Sequence, residues 1–336
     1  MLQRLEVIDF LRGFSIFTIV LMHLLQSFPI SPFLMAASSF GGAGVHVFIL
    51  CSGFGLYLSY LNRPLTYIQF LKRRFLKVYL PYIIIILISA LIPFYNTSSD
   101  KLLQVLSHVF LFKMFFNDLE SSFGLQMWFV STIIQFYLLW PLLLKLFNKS
   151  TGVIYALLIS LLWTTIVAML GKSDVRVWNS FFLQYLWEFV LGMYLAKCYK
   201  LNVKIVNSLN FNILVPVCII CVALTGFAGI KGGIWKLYND IPSMIGYLFA
   251  LLIIYKLHIK PINGLFMFTN KISYEWYLVH ILVFSCTFYY LYKLETFSMV
   301  VIAVISFILS YVVACLYHWI VMMKIWELFE NRMAVF

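Results

Sequence analysis

The sequence predicts an all-α integral membrane protein of about ten transmembrane helices, and three observations lead there. The composition is 63% hydrophobic and only 11% charged, with a mean hydropathy of +0.97; a soluble domain carries roughly 25% charged residues. Apolar runs near the ~20 residues needed to cross hydrocarbon recur at 7–28, 41–61, 75–94, 126–147, 152–171, 180–199, 211–230, 241–258, 273–292 and 297–323. The cations then test that count. With the N-terminus inside, 17 of the 24 Lys and Arg residues fall on the inner side, from Arg4 and Arg12 through the Lys72–Lys77 run and Lys204 to Lys324 and Arg332. Lys101, Lys113, Lys172, Arg176, Lys231, Lys236 and Lys293 fall outside. Such a bias marks cytoplasmic loops, so both termini are predicted cytoplasmic. The net charge of +12 follows from this topology and from anionic lipid at the inner face, with no reason to invoke nucleic acid.

The first run, Val7 to Phe28, carries Asp9, Arg12 and His23. At 100° per residue the eleven-residue step from Arg12 returns His23 to nearly the same face, roughly 16 Å further along the axis. Ionisable groups inside a membrane helix usually mark a reaction site or a transport path. The plainer alternative is that Arg12 snorkels to the headgroups and His23 bonds a neighbouring helix. An imidazole near its ordinary pKa suits general-base work. Asp9 and Arg12 interrupt the apolar run, which argues against a cleaved signal peptide.

Gly41-Gly42-Ala43-Gly44-Val45-His46-Val47-Phe48, leading to Ser52-Gly53-Phe54, opens the second helix. Small residues there allow close approach of a helix or a ligand, and His46 reads as an interface residue. Phe70 to Pro81 holds Lys72, Arg73, Arg74 and Lys77 beside a helix start. Such a run is a topology signal and lipid anchor by default, and it could also grip phosphates. The stretch 102–117 is too short to span and is read as interfacial or re-entrant. It lies within a long outer connection, 95–125, that includes Asn96-Thr97-Ser98-Ser99-Asp100; connections of that length are uncommon unless functional.

Glu188 is the one carboxylate well inside a predicted span. A carboxylate that orients an imidazole is the usual partner of a base, so Glu188 could serve His23, pair with Arg12 or bind an acceptor hydroxyl. Tyr277 and His280 lie one turn apart at the start of the ninth span. All six cysteines fall in predicted helices, and Cys218-x-x-Cys221 within an apolar span reads as packing rather than redox or metal chemistry. No metal site is expected.

Taken in order, these elements resemble the acyltransferase-3 family of membrane O-acyltransferases. The resemblance rests on Arg12 ahead of His23, on Gly44-Val45-x-x-Phe48 running into Ser52-Gly53-Phe54, and on Arg73, Arg74, Lys77 and Pro81. It continues through Trp128-Phe129, Glu188-Phe189 with Gly192-Met193, and Ser273-Tyr274-x-x-Tyr277-Leu278-x-His280. It implies a single transmembrane acyltransferase domain over 1–336, without a soluble accessory domain, in the inner (plasma) membrane of a bacterium. The implied reaction moves an acyl group, usually acetyl, from cytoplasmic acetyl-CoA or another acyl-CoA to a sugar hydroxyl of a surface or lipid-linked glycan.

Carried over residue by residue, His23, Arg12 and Glu188 would be catalytic. Arg73, Arg74 and Lys77, with Tyr277 and His280, would hold the CoA donor, while Asp9, Ser52 and Trp128 would line the substrate pocket. Lys77 stands where arginine is common, and a lysine lacks the planar fork that binds phosphate bidentately. The histidine–x4–aspartate signature of glycerolipid acyltransferases is absent, since no histidine has an aspartate five positions on. A polytopic transporter or flippase for a polyprenyl-linked glycan or acyl groups is the competing class. The two halves carry no matching pair of broken apolar segments, which weakens it.

Overall fold

The computed structural model describes residues 5–321 except 29, 96–99, 148, 150, 204–207 and 295. The expected inner positions of Arg4, Lys204, Lys324 and Arg332, the two termini, and the polar stretch Asn96–Ser99 lie outside the described residues. Within them the chain is helical, with no strand. Six segments are long and apolar enough to cross a bilayer: Glu6–Gln26, Phe40–Asn62, Tyr67–Leu91, Thr151–Met169, Phe211–Lys231 and Met299–Val321. Leu125–Leu138 and Trp140–Leu146, bent by 61°, count as a seventh if taken as one broken span. The bend falls where Pro141 opens the second piece, because proline supplies no N–H to the preceding turn. The predicted spans at 180–199, 241–258 and 273–292 are also helices: Leu186–Lys200, Asp240–Lys256 and Ser273–Tyr292.

The elements that position the site are α1 (Glu6–Gln26), α3 (Gly44–Asn62), α4 (Tyr67–Arg74), α5 (Leu80–Leu91), α7 (Trp128–Leu138) and α11 (Leu186–Lys200), with α14 (Asp240–Lys256), α15 (Lys260–Thr269) and α16 (Ser273–Tyr292). α1 buries Phe10, Ile16 and Val20 and packs against α3, α15 and α16. α3 and α11 run parallel in close contact along their length. A Cβ on Gly53 would stand 2.0 Å from the Phe189 carbonyl oxygen, and one on Gly192 would stand 2.1 Å from that of Leu50. Close packing is therefore what the small residues of Ser52-Gly53-Phe54 and Gly192 provide. By contrast α12 (Phe211–Lys231) and α17 (Met299–His318) lie at the periphery. Only 17% and 22% of their apolar windows are buried, which leaves a surface for lipid tails to cover.

Three long-range hydrogen bonds join helix ends at one end of the bundle. Lys200 Nζ donates to Asn62 Oδ1 at 2.6 Å, Tyr67 Oη to the Leu138 carbonyl at 2.7 Å, and Asn270 Nδ2 to Asp9 Oδ1 at 2.6 Å. The end where α1 begins is called basal below and the other apical.

Two local departures from the predicted elements matter for the site. The helix carrying Lys72, Arg73 and Arg74 starts at Tyr67, capped by a reciprocal Thr66–Gln69 box, so these cations sit inside a helix rather than ahead of one. It passes through a π-turn, Phe75–Tyr79, before continuing as α5. A π-turn shifts the hydrogen-bond ladder by one residue, and Tyr274 Oη donates to the Val78 carbonyl at 2.7 Å.

The stretch 102–117 forms a nine-residue helix, α6 (Lys101–Val109), and short 3₁₀ turns. At 1.5 Å per residue a helix of that length cannot cross a bilayer. Its apical connection is braced from within. Lys113 is wholly buried, and its Nζ donates to the carbonyls of Ser122 at 2.9 Å and Gly124 at 3.4 Å. His108 Nε2 lies 2.9 Å from Ser122 Oγ. Burial lowers the Lys113 amine to about 7, partly opposed by the Glu120 carboxylate.

Candidate functional site

The basal half of the bundle encloses a chamber of about 390 Å³, within the usual range for small-molecule sites. Four cations converge on it from three parts of the chain: Arg12 of α1, Arg74 and Lys77 of the α4–α5 span, and Lys271 beside α15. The Arg74 guanidinium lies 5.5 Å from the Phe70 ring centre and 5.8 Å from that of Tyr137, and Arg12 lies 5.8 Å from Phe48. Aromatic faces thus fix both groups in place. Their Nε atoms are buried and have no hydrogen-bond partner among the described residues. Buried donors without partners are rare unless a ligand or water completes them, and an anion suits these. One carboxylate, Glu275, also lines the chamber, with His318 Nδ1 3.2 Å from its Oε1.

Ser52 and Tyr277 also line the chamber. Ser52 Oγ donates back to the Phe48 carbonyl at 2.8 Å, and Tyr277 Oη donates to the Gln126 carbonyl. Tyr277 therefore ties α16 to the turn ahead of α7.

Above the chamber, His23 occupies the last turn of α1 rather than its middle. Ile19, one turn below on the same face, belongs to the chamber lining, and His23 does not. Its ring faces His280 at 5.3 Å between centroids, tilted by 32°. Gln26 and the Arg176 charge are its other polar surroundings. His280 Nδ1 lies 3.0 Å from the Trp276 carbonyl oxygen, which can only accept, so the proton is assigned to Nδ1 and the lone pair to Nε2. Nε2 is buried and has no partner among the described residues. His280 thus stands beside His23 and away from the chamber, where it was expected to contact the donor.

Four further expected positions lie outside the chamber. Glu188 does not serve His23: its Oε1 lies 2.7 Å from His46 Nδ1. The reason is the parallel seating of α3 and α11, which sets Glu188 in the first turn of α11 against His46 near the start of α3. The other ring nitrogen of His46 is 3.8 Å from Asp240 Oδ1, so His46 lies between two carboxylates. Trp128 stacks on Tyr185 at 5.6 Å with the Arg176 guanidinium 5.3 Å from its ring centre, at the apical end. Asp9 holds Asn270. Arg73 lines a smaller crevice beside the chamber.

Sequence reasoning missed Lys271, Glu275 and His318 in the chamber and the His46–Glu188 pair above it. Glu275 follows Tyr274 at an unspecified position of the Ser273-Tyr274-x-x-Tyr277 pattern, and its charge inside a predicted span was the available signal. The six cysteines are unpaired, and no cluster of metal-ligating groups occurs among the described residues.

The helices long and apolar enough to span define a multi-pass helical membrane protein, and its cation-lined chamber lies beneath a histidine pair. The chain belongs to the acyltransferase-3 family: the family's acyltransferase domain matches residues 5–319, nearly the whole described length. It is accordingly a membrane acyltransferase. Neither the curated proteins nor the solved structures yielded a match.

Proposed function

We propose that this acyltransferase moves an acyl group, most simply acetyl, from cytoplasmic acyl-CoA to a sugar hydroxyl of a surface or lipid-linked glycan, in the inner membrane of a bacterium. The observation that carries the reading is the convergence of Arg12, Arg74, Lys77 and Lys271 on one chamber directly below the His23–His280 pair. Phosphates of the donor meet cations on the basal, cytoplasmic side, and the acyl end of the pantetheine arm points up toward His23. The chamber ends at Ile19 and Tyr277, one turn below His23 and His280, so the thioester must thread past this layer to react.

His23 is the base. Its ring nitrogen takes the proton as the acceptor oxygen attacks the thioester carbonyl carbon. The C–O bond forms, the C–S bond breaks, and His23 returns the proton to the departing thiolate, giving the ester and free CoA. His280 is a positioning residue. Its lone pair at Nε2 can receive an N–H from His23, which fixes the tautomer that leaves the other nitrogen free to act, the role a carboxylate performs in other triads.

The test is a His23→Ala variant of the full chain. General-base removal typically lowers rate 10²–10⁴-fold, so acetyl transfer from labelled acetyl-CoA to membrane glycans is expected to fall by about that factor. Retention of transfer by the variant overturns the assignment. Retained transfer with lost glycan or acyl export would point to a transporter.

A further inference from the structure

The connection over 95–125 takes no part in the chemistry derived above, yet it builds a cavity of its own at the apical end. The cleft holds about 330 Å³, within the range of small-molecule sites, and shares no residue with the basal chamber. Four stretches of the chain wall it: Tyr95 beyond α5, Gln104 of α6, the turn from Ser121 to Leu125 ahead of α7, and Ile281 of α16. Ser121 and Leu125 are exposed and set its rim at the surface. Among the described residues no charged side chain lines it. The hydroxyls of Tyr95, Ser121 and Ser122 and the carboxamide of Gln104 can each donate and accept, while Leu125 and Ile281 supply apolar surface.

The wall is shaped against backbone preference. Phe123 stands at φ +51° and Gly124 at +108°, and a bulky residue in the left-handed region is strained unless its surroundings impose that conformation. Here they do. Lys113 Nζ holds the carbonyls of Ser122 and Gly124, and Tyr95 Oη donates to that of Phe123 at 3.3 Å. Gln126 is 3% exposed, and both polar atoms of its carboxamide are buried with no partner among the described residues. A Cβ on Gly124 would stand 2.3 Å from Gln126 Oε1 and 2.8 Å from its Nε2, so the amide lies directly against this lining residue. The Gln126 carbonyl accepts from Tyr277 Oη, and Ile281 follows His280, the ring beside His23. The cleft and the histidine pair thus share α16.

We propose that this apical cleft seats an uncharged sugar ring of the acceptor, with the Gln126 carboxamide completing its hydrogen bonds on the sugar hydroxyls. A sugar ring offers hydroxyl edges and an apolar C–H face, and the cleft presents a surface for each. An acidic sugar or a phosphate would lose water there without gaining a cation, because Lys113 is engaged by the carbonyls of the wall. The inference rests on the glycan-acceptor reading above and adds to it where the acceptor binds and that the bound ring is neutral.

The probes are methyl glycosides: the glucoside, galactoside, mannoside and N-acetylglucosaminide, with the glucuronoside as their charged counterpart. Saturation-transfer NMR with the full-length protein in nanodiscs reads their binding. Calorimetry with CoA, and passage of label from acetyl-CoA to glycans in membranes, are measured beside it. At least one neutral glycoside should bind and outcompete the glucuronoside. Ser121→Trp, which fills the cleft from its exposed rim, should abolish that binding and most of the glycan labelling, while CoA binds as it does to the wild type. One neutral hydrogen bond corresponds to a roughly 2- to 13-fold change in affinity, so Gln126→Leu should weaken the glycoside by that factor for each bond lost. If Gln126→Leu elutes as aggregate, Ser121→Trp decides alone. Absence of neutral glycoside binding, tighter binding of the glucuronoside, or binding and labelling unchanged in Ser121→Trp overturns the proposal. Each of these leaves glycan transfer by the wild type intact. Wild-type membranes that pass no label to glycan remove the acceptor reading along with the cleft.

Discussion

Gly13 follows Arg12 and faces α15 so closely that a Cβ there would stand 1.8 Å from the Phe266 carbonyl oxygen and 3.0 Å from the Asn270 nitrogen. Carbon–oxygen contacts settle near 3.3–3.6 Å, so Gly13→Ala must force α1 and α15 apart by about 1.5 Å. Backbone carbonyl and helix cannot fold away as a flexible side chain would. Such overpacking typically costs about 1–3 kcal/mol. The same shift carries the Asn270–Asp9 hydrogen bond, 2.6 Å in the wild type, beyond hydrogen-bonding range. Losing a bond to a charged group adds about 1.5–3 kcal/mol, so the variant should lose roughly 2.5–6 kcal/mol in all. Asn270 and Lys271 line the chamber, so donor affinity should fall as well. Thermal unfolding in detergent, followed by a thiol-reactive dye that reports exposure of the buried Cys51, Cys198 and Cys221, gives the stability; calorimetry with CoA gives the affinity. Gly226→Ala is the control, because a Cβ there meets nothing within 4 Å and a helical Gly→Ala change should be neutral or slightly stabilising. If Gly13→Ala melts with the wild type and binds CoA equally well, the packing argument fails and with it the account of how α15 shapes the chamber.

Other outcomes follow from the same contacts. Glu188→Ala leaves His46 without its buried partner and should cost about 3–5 kcal/mol, with Glu188→Gln losing less; chemical unfolding that finds the Ala variant as stable as wild type refutes the pairing as a structural element. The apical connection should grow more stable as pH rises. Between about 7 and the ordinary lysine value near 10.4 the unfolded segment holds a proton on Lys113 that the folded one has released. Stability in that window therefore increases by about 1.4 kcal/mol per pH unit, and the full burial penalty applies below it. Hydrogen exchange across residues 101–125, corrected for intrinsic rates, should show protection rising from pH 7 to 9, and a Lys113→Met variant should flatten the profile. A profile unchanged by that substitution would remove Lys113 as the cause.

Much of the chamber was legible because its members lie in short, chemically unusual stretches. Arg12 breaks an apolar run, Arg74 and Lys77 belong to a cation cluster, and Tyr277 opens a helix in the quoted closing pattern. What eluded the sequence was pairing across long separations. Glu188 and His46 are 142 residues apart, and only the parallel contact made possible by Gly53 and Gly192 brings them together. With Glu188 so engaged, the ring that stands beside His23 is the imidazole of His280, 5.3 Å away between centroids, a neighbour that no spacing rule supplies. Helix boundaries erred where local chemistry intervened. The predicted helix from 180 starts at Leu186, because Phe182–Tyr185 forms a 3₁₀ turn. The span predicted from 75 starts at Tyr67, and Thr66-x-x-Gln69 was a readable cap signature. Lys271 and His318 stayed hidden because each is an ordinary helix-end residue until the tertiary fold turns it inward.

The π-turn at Phe75–Tyr79 makes chain length in this stretch a functional quantity. Removing one residue would return the segment to a 3.6-residue winding and rotate everything before it by about 100° relative to α5. Arg73 and Arg74 would swing off the protein and face lipid headgroups, and the carbonyl that anchors Tyr274 would be reclaimed by its own helix. The cations and the helix that carries His280 are thus set in phase by a single extra residue, a constraint on insertion and deletion that composition alone would never disclose.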